Sequence, residues 1–384
     1  MKFKISNVYF SLILWLPVIY SLFTIFLSGF ENFLIFAFTC ISIIFMHLYF
    51  LKKSLINSIF IFDVIFIFYL IYVAYNEGVG AILNYDFYCY VLMFIFFNIF
   101  TNIEIRQEFY SYEKANSKSF TKRIIIMLLL IIYSILFKDG FKTGYGSSIP
   151  ILYGPFSIPH ILGYLFISYY LECTIIYNKN NFLIKFIFFI GCIWTASRSA
   201  VVGILILIVY DFFSIKIISK KIFIGSVSVI FLLFLFINTN LLTNNPLYEK
   251  TLDANSTGSI SSGREIFRLA AKNKYFYDTN FYQKAFGIGM SGVRNTMYSI
   301  THARIHVHNE YYNLLLGYGL LGMLLLIKFQ LSMNKIYNNK LSFFFCQIFI
   351  FSLSYYNGFA MYSLLTIYFP IICLFFEKKQ ISLQ

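Results

Sequence analysis

Apolar runs recur along this chain from one end to the other, and they constrain its fold more than any other feature. Of its 384 residues, 59% are hydrophobic and only 12% carry a charge. Runs of about 17–25 apolar residues are typical of transmembrane helices rather than of a soluble core. The sequence therefore predicts an all-α polytopic integral membrane protein, with residues 1–384 forming a single membrane domain, and argues against a soluble enzyme. Twelve spans are predicted, at about 8–29, 32–50, 55–75, 85–101, 124–137, 158–177, 182–195, 199–214, 222–238, 310–328, 341–357 and 360–376.

The distribution of lysine and arginine between these spans predicts the orientation of the chain. The even-numbered connections and both ends carry most of them, for example Lys52 and Lys53 in the second connection and Arg106 and Arg123 in the fourth, whereas the short odd-numbered connections are almost free of them. Because cytoplasmic loops are enriched in Lys and Arg, both termini are predicted to be cytoplasmic. The net charge of +14 is thus an orientation signal rather than a sign of nucleic-acid binding. The one long connection, residues 239–309 between spans nine and ten, then faces outward as a large periplasmic loop.

Three of the five histidines fall within seven residues at the end of this loop. They are His302, His306 and His308, and Glu310 follows at the start of span ten. Titratable residues beside an apolar membrane helix are costly and are functional candidates by default. The imidazole of His308 titrates near neutral pH and is a candidate general base, although a histidine that only caps a helix would look the same. Glu310 is expected either to orient His308 or to favour the helix N-terminus.

The same histidines leave a metal site open as an alternative. They lack the i, i+4 helical spacing with a nearby acid that zinc hydrolases use. On an extended segment, however, His302, His306 and His308 would all lie on one face.

Two arginines are candidates for binding an anion at the same outer face. Arg198 lies in the tight joint of residues 195–200 between spans seven and eight. Arg264 opens a short helix in the long loop, where Ser262 and Glu265 fit a capping box. A positive charge in the first turn of a helix is unfavourable unless an anion binds there, and guanidinium groups bind phosphate bidentately. Each also has a plain interpretation, as a snorkelling side chain at the interface and as a solvated loop residue.

At the histidine segment the chain resembles the superfamily of O-antigen polymerases and O-antigen ligases, membrane enzymes that polymerise or attach lipid-linked glycans. The family pattern is His-Asn, then nine residues, then Gly-x-x-Gly. Here His308 and Asn309 are followed by residues 310–318 and then by Gly319 and Gly322. The spacing of the pattern is complete.

Two further motifs agree with this resemblance. Ser197 and Arg198 match a Ser-Arg joint between two mid-chain spans, and Gly263 and Arg264 match a Gly-Arg pair that opens a helix in the large periplasmic loop. About twelve spans with one large late loop also fit the family. The resemblance implies an inverting glycosyl transfer that needs no metal or other cofactor, at the periplasmic face of the bacterial inner membrane.

The resemblance also implies substrates and residue roles. The donor is a glycan on undecaprenyl diphosphate, and the acceptor is a sugar hydroxyl on a second lipid-linked repeat unit. His308 would deprotonate that hydroxyl, while Arg198 and Arg264 would stabilise the leaving diphosphate. Membrane lipids and a chain-length regulator protein are further expected partners, and nucleic acid is not. Substrate-binding roles are expected for a second set of residues, Arg268, Arg304, His306, Asn309 and Glu310.

Two other functions compete with the polymerase. The shared motifs fit equally a ligase that transfers polymer to lipid A–core, but the short chain and the Ser-Arg-Ser-Ala joint favour the polymerase, whether for O-antigen, capsule or exopolysaccharide. A lipid-linked oligosaccharide flippase or other transporter would be expected to show an internal two-fold repeat, and the sequence shows none. Apart from the motifs, Asp63 lies mid-span and is expected to have a partner in the bundle. Gly317, Gly319 and Gly322 most simply allow close helix packing.

Overall fold

A bundle of α-helices with one small β-hairpin makes up the computed structural model of the protein. It describes residues 4–27, 29–52, 56–78, 85–143, 150–156, 158–176, 182–214, 264–302, 305–332, 340–356 and 368–381. Strands β1 (Phe141–Lys142) and β2 (Ile151–Leu152) pair antiparallel, and the fold class is all-α as predicted. The helices are α1 (Ile5–Phe26), α2 (Glu31–Lys52), α3 (Ile56–Glu77), α4 (Tyr85–Phe100), α5 (Ile103–Ala115), α6 (Ser117–Phe137), α7 (Pro159–Ile176), α8 (Phe182–Trp194), α9 (Arg198–Ser214), α10 (Arg264–Tyr277), α11 (Phe281–Phe286), α12 (Gly289–Thr301), α13 (Glu310–Ser332), α14 (Lys340–Tyr356) and α15 (Phe369–Ile381).

Four of the described helices are long and apolar enough to cross a membrane. They contain the segments Ile5–Phe26, Asn32–Tyr49, Ser117–Phe137 and Glu310–Lys328. Helices α4 and α5 together would make a fifth span, but a bend of 95° separates them. The count of twelve spans stays a prediction, because the segment 222–238 lies outside the described residues and α8, α9, α14 and α15 have fewer than 18 residues each.

The connection after α4, predicted as a loop, is instead the amphipathic helix α5. The Asn102 side chain caps its first turn by accepting hydrogen bonds from two backbone N–H groups. The Arg106 guanidinium donates to the carbonyls of Phe100 and Thr101 at 2.8 Å each. It thereby provides hydrogen bonds to carbonyl groups at the C-terminal end of α4, where the chain bends. Its Nε also donates to Oε2 of Glu377 on α15 at 2.8 Å. The sequence counts Arg106 as a charge of a cytoplasmic connection, but this pairing allows it to be buried.

Arg123 of α6, also counted in the sequence as a cytoplasmic loop charge, is fully buried. Its guanidinium donates to Glu113 of α5 at 3.0 Å, to the Leu14 carbonyl of α1 at 3.3 Å, and to both carboxylate oxygens of Glu172 on α7. The three charged side chains are at most 1% exposed. Because a buried ion is tolerated only with partners, this network fixes four helices relative to one another.

Helix α15 packs against α7 and α4 through aromatic side chains. The rings of Tyr169 and Tyr368 meet edge-on with centroids 6.3 Å apart, and those of Phe97 and Phe369 are 4.9 Å apart. These rings are buried and form one continuous cluster with the apolar side chains of the other helices.

Asp63, which the sequence predicts to have a partner, has one. Nε2 of His47 on α2 lies 3.0 Å from both carboxylate oxygens of Asp63 on α3. The prediction from the cost of a mid-span carboxylate is confirmed, and the pair ties two neighbouring helices together.

Helix α13 is interrupted at Gly319, and the interruption admits a neighbouring turn. Gly319 has φ 67° and ψ −164°, a backbone conformation that is open to glycine and to few other residues. A Cβ on Gly319 would lie 2.5 Å from the backbone of Ala285, and one on Gly287 would lie 2.1 Å from the Gly317 carbonyl oxygen. The close packing predicted at Gly317 and Gly319 is confirmed, whereas the atoms nearest to a Cβ on Gly322 belong to α13 itself.

Replacing the central ion of the buried network should destabilise the bundle severely. Arg123→Leu leaves the Glu113 and Glu172 carboxylates buried without their cation, which should cost about 3–5 kcal/mol of unfolding free energy. Thermal unfolding in detergent measures this loss. The triple variant Arg123→Leu, Glu113→Gln, Glu172→Gln should recover part of it, and Lys122→Leu at the adjacent exposed position should leave stability nearly unchanged. Equal melting temperatures for Arg123→Leu and Lys122→Leu would contradict the interpretation.

Candidate functional site

The connection that leads into α13 is held on both sides of His308 by asparagine side chains. Asn309 precedes the helix, and its Oδ1 accepts a hydrogen bond from the Tyr312 N–H at 3.2 Å. Asn313, one turn further on, reaches back so that its Oδ1 accepts from the Val307 N–H at 3.0 Å. Both asparagines are buried. The backbone that carries His308 is therefore fixed, and the helix start is capped.

His308 adopts a left-handed backbone conformation with φ 55°. This conformation costs a residue with a Cβ about 1–2 kcal/mol, and such strain is concentrated at functional sites. The imidazole centroid lies 4.4 Å from that of His306 and 6.0 Å from the ring of Phe267 on α10. The loop thus presents two imidazoles as a pair beside the first turn of α10.

Burial and nearby side chains determine the charge of His306. Burial lowers the pKa of His306 well below its usual range, and His308, Arg294 and Arg264 act in the same direction. His306 is therefore neutral at neutral pH. The side chains that act on it come from α10, α12 and the loop itself, and one of them, Arg294, forms an ion pair with Asp86.

Tyr355, near the end of α14, joins α10 to the loop. The Arg268 guanidinium donates to the Tyr355 hydroxyl at 2.9 Å and to its carbonyl at 3.2 Å, and lies 4.2 Å from the centroid of its ring. Nδ2 of Asn309 donates to the same carbonyl at 3.2 Å. These contacts give Arg268 and Asn309, both predicted to bind substrate, a positioning role: they hold the first turns of α10 and α13 against α14.

Arg198 is the first residue of α9, which runs antiparallel to α14. Tyr210 bonds Ser342 through their hydroxyls at 2.8 Å, and a Cβ on Gly203 would lie 3.2 Å from Leu353. Arg198 precedes Gly203 by five residues, or about 7.5 Å along the helix axis. It therefore lies toward the end of the helix pair where Tyr355 of α14 is found. The predicted convergence of Arg198 with the histidine loop therefore agrees with the register of these two helices.

Hydroxyl groups organise the joint in which Arg198 sits. Nδ1 of His160 lies 2.6 Å from Oγ of Ser197, which is 3.2 Å from Oγ of Ser199, and the Tyr164 hydroxyl lies 2.8 Å from that second serine. A Cβ on Gly163 would lie 2.7 Å from Cβ of Ala200. The start of α7 thus packs directly under the joint and fixes its shape.

Glu310, the first residue of α13, is fully buried. It interacts electrostatically with Tyr90 and Cys89, two buried residues of α4. Of the two roles that the sequence left open, a place at the helix N-terminus, where the helix dipole favours a carboxylate, fits this position.

Helix α12 is anchored by two carboxylates that sequence reasoning did not assign to the site. Nη2 of Arg294 pairs with Oδ2 of the buried Asp86 at 2.5 Å. The Ser291 N–H donates to Oε2 of Glu77 at 3.0 Å, and a Cβ on Gly289 would occupy the same space as that carboxylate. Asp86 is the second residue of a predicted span, where the helix dipole favours a carboxylate, so the rule for mid-span acids that flagged Asp63 gives no signal for it. Arg294 has no signal either.

Two further residues that the sequence singled out are His302, from the metal alternative, and Arg304. His302 is exposed and ends α12 in a left-handed conformation with φ 55°. Arg304, like Ser262 of the predicted capping box, lies outside the described residues. Within the described ranges, no three side chains of His, Cys, Asp or Glu converge closely enough to hold a metal ion.

Comparison of the chain with protein-family models, with curated proteins and with solved structures found no match.

His306→Asn should reduce the loss of stability on acidification. Because the pKa of His306 in the folded protein lies below the unfolded value of about 6.5, unfolding takes up a proton. Stability therefore falls as the pH drops through that value and stops falling once the pH is below the folded pKa. Asparagine removes this contribution, so the melting temperature should change less between about pH 7 and about pH 5 than in the unsubstituted protein.

His302→Asn is the matched control for this measurement. It removes an exposed histidine at a left-handed position, which asparagine adopts readily. The control should retain the full pH dependence that His306 provides. If His306→Asn and the unsubstituted protein lose stability equally on acidification, the burial of a neutral imidazole is not the cause.

Proposed function

We propose that this chain is a membrane polysaccharide polymerase of the O-antigen type, which joins undecaprenyl-diphosphate-linked repeat units. The observation that carries the proposal is the fixed, strained His308, presented beside Arg264 at the end of the bundle where α9 begins with Arg198. These three residues are the ones that the family motifs mark. A polymerase would require all three at one end of the bundle, and the register of α9 against α14 supports this.

In the proposed reaction, His308 acts as the general base. The acceptor hydroxyl attacks the anomeric carbon of the donor sugar while His308 takes up its proton. A new C–O bond forms, the bond from the anomeric carbon to the phosphate oxygen breaks, and undecaprenyl diphosphate leaves with the electron pair. Attack from the face opposite the leaving group inverts the anomeric configuration. A base of this kind contributes about 10²–10⁴-fold to the rate.

The arginines supply the charge that the leaving group needs. Negative charge develops on the diphosphate as its bond to the sugar breaks, and cations fixed in advance lower the barrier. Arg264 and Arg198 fill this role, whereas Arg294, which acts electrostatically on His306, is already paired with Asp86. The neutral His306 leaves His308 beside an uncharged ring, so His308 is not prevented from accepting a proton by an imidazolium next to it.

The location follows from the same proposal. Twelve spans with both termini in the cytoplasm would place His308, Arg198 and Arg264 at the periplasmic face of the bacterial inner membrane. The loop of residues 239–309 would then contain α10, α11 and α12. A donor already moved across the membrane would meet the arginines at this face.

His308→Asn should abolish polymer while leaving the protein in the membrane. Asparagine tolerates the left-handed backbone of His308, so the loop keeps its shape and only the base is lost. The transfer rate should fall by about 10²–10⁴-fold. The measurement is a lipopolysaccharide gel of the host, without its chromosomal copy and carrying the variant. His302→Asn, which changes an exposed histidine of the same conformation, should restore the full ladder.

The gene deletion itself separates the two members of the superfamily. Lipid A–core that carries a single repeat, with the ladder gone, supports the polymerase. Bare core with long polymer accumulating on undecaprenyl diphosphate would instead make the chain a ligase, whose acceptor is lipid A–core. A full ladder from His308→Asn would refute the role of His308 as the base.

A further inference from the structure

The end of α10 and the short helix α11 carry a group of exposed aromatic rings. Tyr277, Phe281 and Tyr282 are 81%, 80% and 69% exposed, and Phe276 is 50% exposed. These four residues form what we term the aromatic surface. Large rings grouped in this way are unfavourable in water and mark a place where something else is bound.

The turn that follows α11 meets α13 well inside its span. The Ile288 N–H donates to the Leu316 carbonyl at 2.9 Å, and Ala285 lies against Gly319. These contacts fall six to nine residues from Glu310, the first residue of α13, or about 9–14 Å along the helix axis. The apolar segment that begins at Glu310 has 19 residues, which corresponds to about 28 Å, close to the thickness of the hydrocarbon core. The turn therefore lies below the end of the span.

Contacts between the end of α11 and α3 indicate the same depth in the membrane, independently of the contacts with α13. The Phe286 ring lies 4.9 Å from that of Phe68 and 5.8 Å from that of Tyr72, centroid to centroid, and the Tyr72 hydroxyl donates to the Gly287 carbonyl. Phe68 and Tyr72 precede the last residue of α3, Glu77, by nine and five residues, or about 7–14 Å. Two separate helices thus place the C-terminal end of α11 one to two and a half turns inside the bundle.

The side chains around the aromatic surface are those of a membrane interface. Lys274 and Asp278 form an exposed ion pair at 3.9 Å, and Nζ of Lys284 donates to the Phe276 carbonyl at 3.0 Å. The Asn280 side chain caps α11 in a capping box. Aromatic rings mixed with lysine and with capped polar backbone are typical of segments that lie at the level of the lipid headgroups, whereas the charged groups exclude the centre of the bilayer.

We propose that the aromatic surface is embedded in the outer interface of the lipid bilayer. The end of α10 and α11 then form a membrane-inserted element that turns back beside α3 and α13, rather than a loop in the aqueous phase. The occupant of the surface is membrane lipid, with the rings against the upper acyl chains and the lysines at the headgroups. This inference depends on the membrane spans and not on the proposed chemistry.

Insertion of the aromatic surface into the bilayer also determines the position of the candidate site along the membrane normal. The Tyr275 hydroxyl donates to the Lys284 carbonyl at 2.9 Å and so ties α10 to α11. At its other end, α10 carries Arg264 and Phe267 beside His308. Lipid contact at one end of this 14-residue helix therefore fixes the position of Arg264 at the other, about 20 Å away.

The test is fluorescence quenching in reconstituted vesicles. The full chain, with Trp15 and Trp194 replaced by Phe, receives a single reporter, Phe281→Trp, in vesicles of phosphatidylcholine with or without brominated acyl chains. Tyr282→Trp is a second reporter on the same surface, should the first variant fail to fold. Ile266→Trp is the matched control, because it lies on the same helix α10, is 57% exposed, and is in the turn that contacts the His308 loop.

The proposal expects brominated lipid to quench the Phe281→Trp indole several-fold more strongly than the Ile266→Trp indole, and aqueous iodide to show the reverse order. Equal or reversed quenching by brominated lipid would overturn it. It would also be overturned if neither quencher reached Phe281→Trp and Tyr282→Trp, since another segment of the chain would then cover the aromatic surface. Loss of enzymatic activity has no bearing on either outcome.

Discussion

The structure depends on one constraint: an ion buried among apolar helices must be given a partner by the protein itself. Removing a charge from water costs several kcal/mol unless an opposite charge or a set of hydrogen bonds compensates. Arg123 meets this constraint by joining three helices and a backbone carbonyl, and Arg106 meets it through Glu377 and the two carbonyls at the α4–α5 bend. Each pairing fixes the relative position of helices far apart in sequence, as the 271 residues between Arg106 and Glu377 illustrate.

The candidate site differs from these networks in the sign of the charges near its buried titratable side chain, His306. At Arg123, opposite charges surround the ion. At His306, the side chains that lower the pKa of the imidazole are two arginines and a second histidine, and they come from three separate segments of the chain. One of them, Arg294, is compensated by the buried Asp86. Under the proposed function, the diphosphate of the donor would bind among these side chains, and its negative charge would be attracted to the guanidinium groups.

Sequence reasoning predicted what depends on local pattern and missed what depends on distant partners. The apolar runs predicted an all-α chain, the cost of a mid-span acid predicted a partner for Asp63, and the glycines predicted close packing around residues 317–319. The local pattern predicted the wrong environment for Arg106 and Arg123. A charged residue at the end of an apolar run has the same local sequence whether its side chain is solvated or pairs with a distant carboxylate, as Arg123 pairs with Glu172, 49 residues away. For the same reason the local pattern missed Arg294 and Tyr355, whose contacts lie on other helices.

Packing of glycine against backbone connects the site to the membrane. Because Gly319 and Gly287 have no side chain, the turn after α11 approaches α13 to backbone contact, at a depth where an ordinary loop would expose unsatisfied peptide groups to lipid. The capping box of α11 and the hydrogen bond from the Ile288 N–H satisfy several of those groups internally. A segment with these internal hydrogen bonds can enter the membrane interface without exposing as many unsatisfied peptide groups. Because α10 connects this segment to Arg264, the depth of insertion also determines where Arg264 lies. The requirement to satisfy every buried polar group thus links the helix core, the lipid-facing aromatic rings and the arginine beside His308.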